Sequence, residues 1–353
     1  MEQMPKLATI EIIHSIQPHP NPEVEKLEVA KIKEWPVVIP KGCFANGQKV
    51  VFIQIDSIVP EIPEFEFMRR QKFRVWNAKF KGAPSQGLVM NSLSLNKYLN
   101  IITDNPSTET GIDVKDFKEG DDVTELLGVT KYEKPLDLSI RGDAVGGFPT
   151  HLVSITDEEN LLNNPTTLEE FRGQECYLTV KADGSSMTVI YDGEKVRVCS
   201  RRLEQKEGSG FWLFAEALGL PDKLRAMKKN IAIQAEACGG KIQGNPMGLS
   251  LPSFFVFNVK EIDTGKWYGY YEIVNFCSGL QIPMVQIINE PFIFDETWTI
   301  ARLQEIANGV VYKTAKGETK KGEGIVLRPT TPKFSAVLGH ALSVKILNQE
   351  YKQ

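Results

Sequence analysis

The chain has 353 residues, with 41 Lys+Arg against 45 Asp+Glu and a formal net charge of −4. That length exceeds what one core usually fills and implies two domains, and the near-neutral charge excludes a histone-like partner, so any nucleic-acid contact must be a local basic patch. With no apolar run long enough to cross a bilayer, no basic-then-apolar leader in MEQMPKLATI and five scattered cysteines without a CxxC pair, a membrane partner and a disulfide framework are not expected, and the cytoplasm is the expected compartment.

In chain order, residues 6–16, 27–32, 36–40, 49–56 and 73–80 are β-branched or aromatic runs between Pro and Gly turns. Their close spacing predicts a small barrel or sandwich. Residues 96–146 are polar and turn-rich and predict a linker, with one short helix in DDVTELLGV capped by Asp or Thr. From about residue 146 the pattern predicts strands at 176–181, 186–191, 195–201, 231–237, 254–259, 323–328 and 342–347. An amphipathic helix is predicted near 211–228, with further helices at LEEF and TWTIARLQEIANG.

The segment ECYLTVKADGSSMTVIYDGEKVRVCSRR carries the first chemical signal. Alternation puts Cys176, Leu178 and Val180 on one face and Tyr177, Thr179 and Lys181 on the other. Lys181 thus stands at a strand end, with Asp183 and Gly184 in the turn and Ser185 and Ser186 beyond. An amine nucleophile needs such a setting, because a metal or a cationic neighbour must lower its pKa. Taken alone, KxDG is more often a surface lysine before a turn. Its neighbours change that. Glu236 and Gln234 interrupt the apolar strand AIQAEACGG, where an unpaired carboxylate is costly to bury. FFVFNV offers Phe255 and Phe257, which read alone are core residues. GEGIVLRP brings Glu323, Val326 and Arg328, and ALSVKILN brings Lys345. Arg201 follows the second hairpin strand, where a solvated edge is the plain alternative.

The ordered series KxDG, SR, a strand glutamate, FxFN, EGxV and a terminal lysine strand resembles the covalent nucleotidyltransferase superfamily of ATP-dependent polynucleotide ligases and capping enzymes. The resemblance covers roughly residues 145–353. It implies that Lys181 attacks the α-phosphorus of ATP to form lysyl-AMP, that AMP passes to a 5′-phosphate end, and that a 3′-hydroxyl then displaces it. It further implies that Asp183, Glu236 and Glu323 hold Mg²⁺ or Mn²⁺. Gly184, Ser186 and Arg201 would join the nucleotide site, Phe257 and Val326 would sandwich adenine with Phe255 as the alternative stack, and Arg328 and Lys345 would meet phosphates. Two departures stand out. Ile346 and Leu347 follow Lys345 where these ligases usually carry a second lysine, a role Lys333 could fill, and Ile155 precedes Thr156-Asp157-Glu158 where a basic residue is common.

The first half resembles OB-type modules of tRNA-binding proteins, through the run from His19 to Ala30, residues 47–51 and Asp56 to Pro60. Downstream, Arg69, Arg70, Lys72, Arg74, Lys79 and Lys81 interleave with Phe73, Trp76 and Phe80, which suits single-strand binding. An OB module ahead of the catalytic half is similar to one branch of RNA ligases. The expectation is therefore an α+β chain with an N-terminal OB-type β-barrel domain (1–133) and a nucleotidyltransferase domain of antiparallel sheets with flanking helices (146–353). It is expected to act as a monomeric ATP-dependent RNA ligase, with RNA as partner, as a nicked duplex or as broken ends, and ATP with Mg²⁺ or Mn²⁺ as cofactors. A DNA ligase, a guanylyltransferase and a non-catalytic RNA-binding protein stay open as alternatives.

Overall fold

The computed structural model describes residues 6–91, 117–132, 143–156 and 158–351. Two compact units divide the chain, the first within residues 1–135 and the second spanning residues 136–351.

The first unit is built from β1 (Ala8–Pro18), β2 (Leu27–Ile32), β3 (Trp35–Pro40), β4 (Lys49–Ile53), β5 (Ser57–Ile58), β6 (Arg74–Val75), β7 (Asn77–Phe80), β8 (Ala83–Gln86), β9 (Leu88–Asn91) and β10 (Thr130–Lys131). A five-stranded sheet runs β3-β2-β1-β4-β9, a second β10-β5-β6, and β7 and β8 form a hairpin. Ile10, Val51, Ile53, Phe65 and Phe73 fill its core together with Val123, Leu127 and Val129. Much of the predicted linker lies outside the described residues, but 117–132 is no linker. Its backbone docks on β1, where the Ile10 amide donates to the Asp121 carbonyl at 3.0 Å and the Val123 amide to Ala8 at 2.9 Å. The short helix predicted there is a single turn instead. The Thr124 hydroxyl accepts from the amides of Leu7 and Ala8 at 2.9 and 3.0 Å, so it is spent on β1, and Gly128 at φ +63° ends the turn.

The second unit contains β11 (Ala144–Gly147), β12 (Glu159–Asn160), β13 (Glu175–Val180), β14 (Ser185–Tyr191), β15 (Val196–Ser200), β16 (Leu203–Gln205), α1 (Gly210–Ala217), α2 (Leu220–Met227), β17 (Ile231–Cys238) and β18 (Ser253–Glu261). It continues through α3 (Tyr270–Leu280), β19 (Ile287–Ile293), α4 (Ile300–Gly309), β20 (Val311–Lys313), β21 (Thr319–Lys321), β22 (Gly324–Pro329) and β23 (Val344–Leu347). Two sheets result, β11-β16-β15-β14-β17-β18 and β12-β23-β22-β13-β19. Their pairings are antiparallel except β12 with β23. The single helix predicted over 211–228 is two. Gly219, at φ +65°, breaks it, and Pro221 sits in the first turn of α2, where a missing N–H costs nothing. The LEEF segment is the end of a 3₁₀ helix, Pro165–Phe171. TWTIARLQEIANG is α4, capped by the Thr299 hydroxyl accepting from the Arg302 amide. Sequence periodicity missed α3, β19 and the β20–β21 hairpin.

Each sheet sends alternate residues into an apolar core. On the five-stranded sheet Cys176, Leu178, Val180, Ile325, Leu327, Val344 and Ile346 enter one core. Tyr177, Thr179, Val326, Arg328 and Lys345 alternate to the opposite face. On the six-stranded sheet Met187, Val189, Ile233, Ala235 and Ala237 enter a second core, which leaves Ser186, Gln234 and Glu236 on the other side. The segment 181–184 carries the chain from one sheet directly into the other.

Candidate active site

Lys181 occupies that crossing. Its amide donates to the Gly324 carbonyl at 2.9 Å, which extends the β13–β22 ladder by one residue. Its ammonium meets Glu323 Oε1 at 2.6 Å. Glu236 lies across from Ser186 in the β14–β17 ladder, and its carboxylate accepts the Gly184 N–H. Gly184 is required by contact. A Cβ there would lie 2.2 Å from the Ala237 carbonyl oxygen and 2.7 Å from Cys238 Sγ. Gly324 needs its freedom for a different reason, since it holds φ +149° with Ile346 O 2.2 Å from where a Cβ would stand.

The electrostatics follow from this crowding. Burial works to lower the Lys181 pKa, but Glu323, Glu236 and Asp183 outweigh it and hold the ammonium above the ordinary lysine value. Burial, joined by the like charges of Glu323 and Asp183, pushes Glu236 up to about 8 against the pull of Lys181 and the Gly184 amide. The site thus carries more negative charge than one ammonium cancels. Its donors are hard carboxylate oxygens of the kind that suit Mg²⁺ or Mn²⁺. Among the described residues no three His, Cys, Asp or Glu side chains converge as a ready-made metal cluster. The donor chemistry fits such a cation, held in part through water, with Lys181 leaving Glu323.

Two tyrosines, silent in the sequence patterns, complete the crossing. The Tyr312 hydroxyl donates to the Lys181 carbonyl at 2.8 Å and accepts the Glu323 N–H, so one buried phenol ties the backbones of both members of the ion pair. The Tyr351 hydroxyl donates to Asp183 Oδ2. It is delivered by a tail pinned at Asn348, whose amide donates to the Glu323 carbonyl at 2.9 Å and whose side chain donates to the Gly322 carbonyl at 3.0 Å. Burial pushes both phenols far up.

A second cluster lies along the same face of β22 and β23. Arg328 is 8% exposed. It ion-pairs with Glu158, donates to Ser343 Oγ at 2.8 Å and to the Tyr177 hydroxyl, and holds its guanidinium 5.6 Å from the Phe257 ring. Burial alone would raise the Glu158 carboxyl, but Arg328, the Ser343 hydroxyl and Lys345 bring it below the ordinary carboxylate value. In the sequence Glu158 stands out only as the last residue of Thr156-Asp157-Glu158, and Asp157 lies outside the described residues. Phe255 faces Glu236 across the β17–β18 ladder, and Phe257 sits where that ladder shifts by one residue. Both pack against the core of the five-stranded sheet. Val326 is opposite Lys345. Arg201 is exposed just beyond β15, and Lys333 is exposed. The structure thus brings together Lys181, Asp183, Gly184, Glu236 and Glu323, and gathers Phe257, Arg328 and Lys345 beside them.

In the first unit the basic residues behave unequally. Arg69 pairs with Glu66 at 2.5 Å, and Arg74 with Asp56 at 2.7 Å while stacking on Tyr132. Arg70, Lys72, Lys79 and Lys81 are exposed. Trp76 and Phe80 are 43% and 42% exposed, whereas Phe73 is core. His19 Nε2 meets the Phe80 carbonyl at 2.9 Å, which fastens the β7–β8 hairpin to the loop after β1.

Comparison with known proteins agrees with both units. The RNA ligase family model matches residues 174–345, and an OB-fold domain model matches residues 7–92. No curated protein matches. Among solved structures, an RNA ligase variant from Naegleria gruberi without ligand is 28% identical with a TM-score of 0.78, covering 99% of this chain and 98% of that one. Variants of the same enzyme solved with ATP and Mn, and with AMP and Mn, are 28% and 27% identical, each with a TM-score of 0.78 and 98% of both chains covered. With the ordered motifs, the two-sheet crossing at Lys181 and an OB fold ahead of it, residues 174–345 belong to the RNA ligase family of the covalent nucleotidyltransferase superfamily, and the chain is similar along nearly its whole length to an RNA ligase of that architecture.

Proposed function

We propose that this RNA ligase uses ATP to adenylylate Lys181, transfers AMP to a 5′-phosphate RNA end, and seals that end to a 3′-hydroxyl, acting as a monomer on nicked duplexes in the cytoplasm. The observation that carries the reading is the Lys181 amine at the crossing of two sheets, 2.6 Å from Glu323 with Asp183 and Glu236 contributing charge. In the first step a P–N bond forms between Lys181 and the α-phosphorus as the P–O bond to pyrophosphate breaks. The ammonium must first give up a proton that the carboxylates hold on it. A divalent cation on Asp183, Glu236 and Glu323 would neutralise phosphate charge and favour the free amine. The Naegleria gruberi structures solved with ATP or AMP and Mn support ATP and a divalent metal as cofactors.

The remaining residues divide by task. Val326 and Phe257 would sandwich adenine, and Phe257 is preferred to Phe255 because Arg328 fixes its ring. With its donors engaged by Glu158, Ser343 and Tyr177, Arg328 serves this reading as the holder of the aromatic wall more than as a phosphate ligand. Lys345 and Arg201 would supply cationic charge to phosphate, with Ser186 and Gly184 lining the loop. Arg70, Lys72, Lys79 and Lys81, with Trp76 and Phe80, would offer a charged and stacking surface to RNA, joined by Arg69 and Arg74 only if their carboxylate partners yield. Four of the five cysteines are buried and all five are unpaired, which accords with a reducing compartment. Among the described residues no helix is long and apolar enough to cross a membrane.

The test is incubation with α-labelled ATP or GTP, followed by a chase onto nicked duplexes with RNA or DNA 3′ ends. Label from ATP on the wild-type chain, none on Lys181→Ala, and passage to RNA-ended nicks are expected. Labelling of the Lys181→Ala protein would refute the nucleophile, and preferential label from GTP would refute the ligase chemistry.

A further inference from the structure

The β20–β21 hairpin lies against the nucleophile and carries a charge that the lysine chemistry leaves unused. Between residues 311 and 322 stand Lys313, Lys316, Lys320 and Lys321 against the single Glu318. All four lysines are exposed. Lys321 pairs with Glu350.

A two-stranded hairpin is marginal alone, and this one is held from below. Tyr312 inserts beneath it, 5% exposed, with its hydroxyl on the Lys181 carbonyl. The Gly322 amide donates to the Val310 carbonyl at 2.8 Å, and the Ala315 amide donates to the Gly248 carbonyl at 2.9 Å. A Cβ on Gly248, itself at φ +64°, would lie 2.5 Å from Thr314 Cγ2, so that loop fits closely under the hairpin. In register, Lys320 faces Tyr312 and Lys313 faces Thr319. The two lysines therefore start on, or one residue from, the pair whose tyrosine touches the nucleophile's backbone.

From this we propose that the hairpin is a docking site for the sugar-phosphate backbone of the RNA strand being sealed, with Lys313, Lys316 and Lys320 as its contacts. The proposal rests on the ligase reading. The adjoining carboxylates Asp183, Glu236 and Glu323 repel a polyanion, and a strand end must nevertheless reach Lys181. Three ammonium groups beside the site, Lys320 on the face of Tyr312, Lys313 on the opposite face and Lys316 in the turn, supply the missing attraction, and the hairpin's support from below spares the cost of ordering a loop on binding. No base contact is involved, so the surface reads phosphate spacing and not sequence.

The experiment uses the full chain carrying Lys313→Ala, Lys316→Ala and Lys320→Ala together. Binding to a nicked RNA duplex is measured across a salt series, and lysine adenylylation is measured separately across ATP concentration. The slope of log affinity against log salt should fall in magnitude by about 2 to 3, at roughly 0.7–0.9 per lost phosphate contact, with sealing reduced accordingly. Adenylylation and its ATP dependence should stay as in the wild type, which also reports an intact fold. An unchanged salt slope would overturn the proposal. So would a raised ATP requirement, which would place these lysines on the triphosphate instead. Failure of the wild-type chain to take label from ATP would sink the ligase chemistry, while the salt series would still decide the hairpin.

Discussion

At the scale of single residues, the site is a balance of charges around one amine, and the two tyrosines decide how firmly that balance is held. Tyr312 joins the carbonyl of Lys181 to the amide of Glu323 through one hydroxyl. Tyr312→Phe keeps the ring's packing and deletes only that bridge. It should cost about 1 kcal/mol of stability and slow adenylylation by on the order of tenfold, because a small displacement of a positioned nucleophile is expensive. Thermal melts and single-turnover labelling together check this, and a melt shift with an unaltered rate would reduce Tyr312 to packing. Neither tyrosine was legible in the sequence, since each lies far along the chain from the group it touches and belongs to no motif spacing. Lys181, Glu236 and Glu323 were legible for the opposite reason. Each is a charged residue at the end of, or inside, an apolar strand run, where burial without purpose is costly.

Elements show the same contrast between patterned strands and close contacts. The alternation of β13, β14, β17 and β22 is strong enough that the buried and site-facing residues separate as period-2 reasoning requires. The break between α1 and α2 was also written in the chain, as Gly219 followed by Pro221, but apolar spacing on either side masks it. Pairing partners were not legible at all. Nothing near Glu158 announces Arg328, and only the fold brings them together. Glu158→Gln leaves the Arg328 guanidinium buried without its counter-charge, which should cost about 3 kcal/mol near neutral pH. Because the folded carboxyl lies below its ordinary 4.5, its contribution is present above that value and fades as pH falls through the folded value. The stability gap between wild type and variant should therefore narrow in acid, and denaturant titrations at a series of pH values would show it. A gap constant with pH would mean that Glu158 contributes shape and not charge. Gly184→Ala tests the crossing itself. With 2.2 Å to Ala237 O, the added methyl must push β14 from β17, so a loss of about 1–3 kcal/mol should accompany near-complete loss of labelling.

For the molecule as a whole, the division into two units means that, on the proposed function, chemistry and substrate capture should be separable. Residues 136–351 contain the cores on both of their sheets and every group proposed to act on ATP, whereas the first unit has its own core and exposes Trp76, Phe80 and the lysines of its β7–β8 hairpin. That order of domains was legible because motif content changes sharply along the chain, but the part played by residues 117–132 was not, since their contacts with β1 are made across more than a hundred residues. A chain beginning at residue 136 should thus still adenylylate Lys181 within a few-fold of the full protein. Its sealing of nicks should fall by more than tenfold, because stacking on exposed aromatics contributes about 1–3 kcal/mol per base and the basic surface of the first unit is gone. The β20–β21 hairpin remains in that shortened chain, so RNA binding should weaken without vanishing and should keep a measurable salt dependence. Parallel loss of labelling and sealing would instead assign the first unit a role in folding the second.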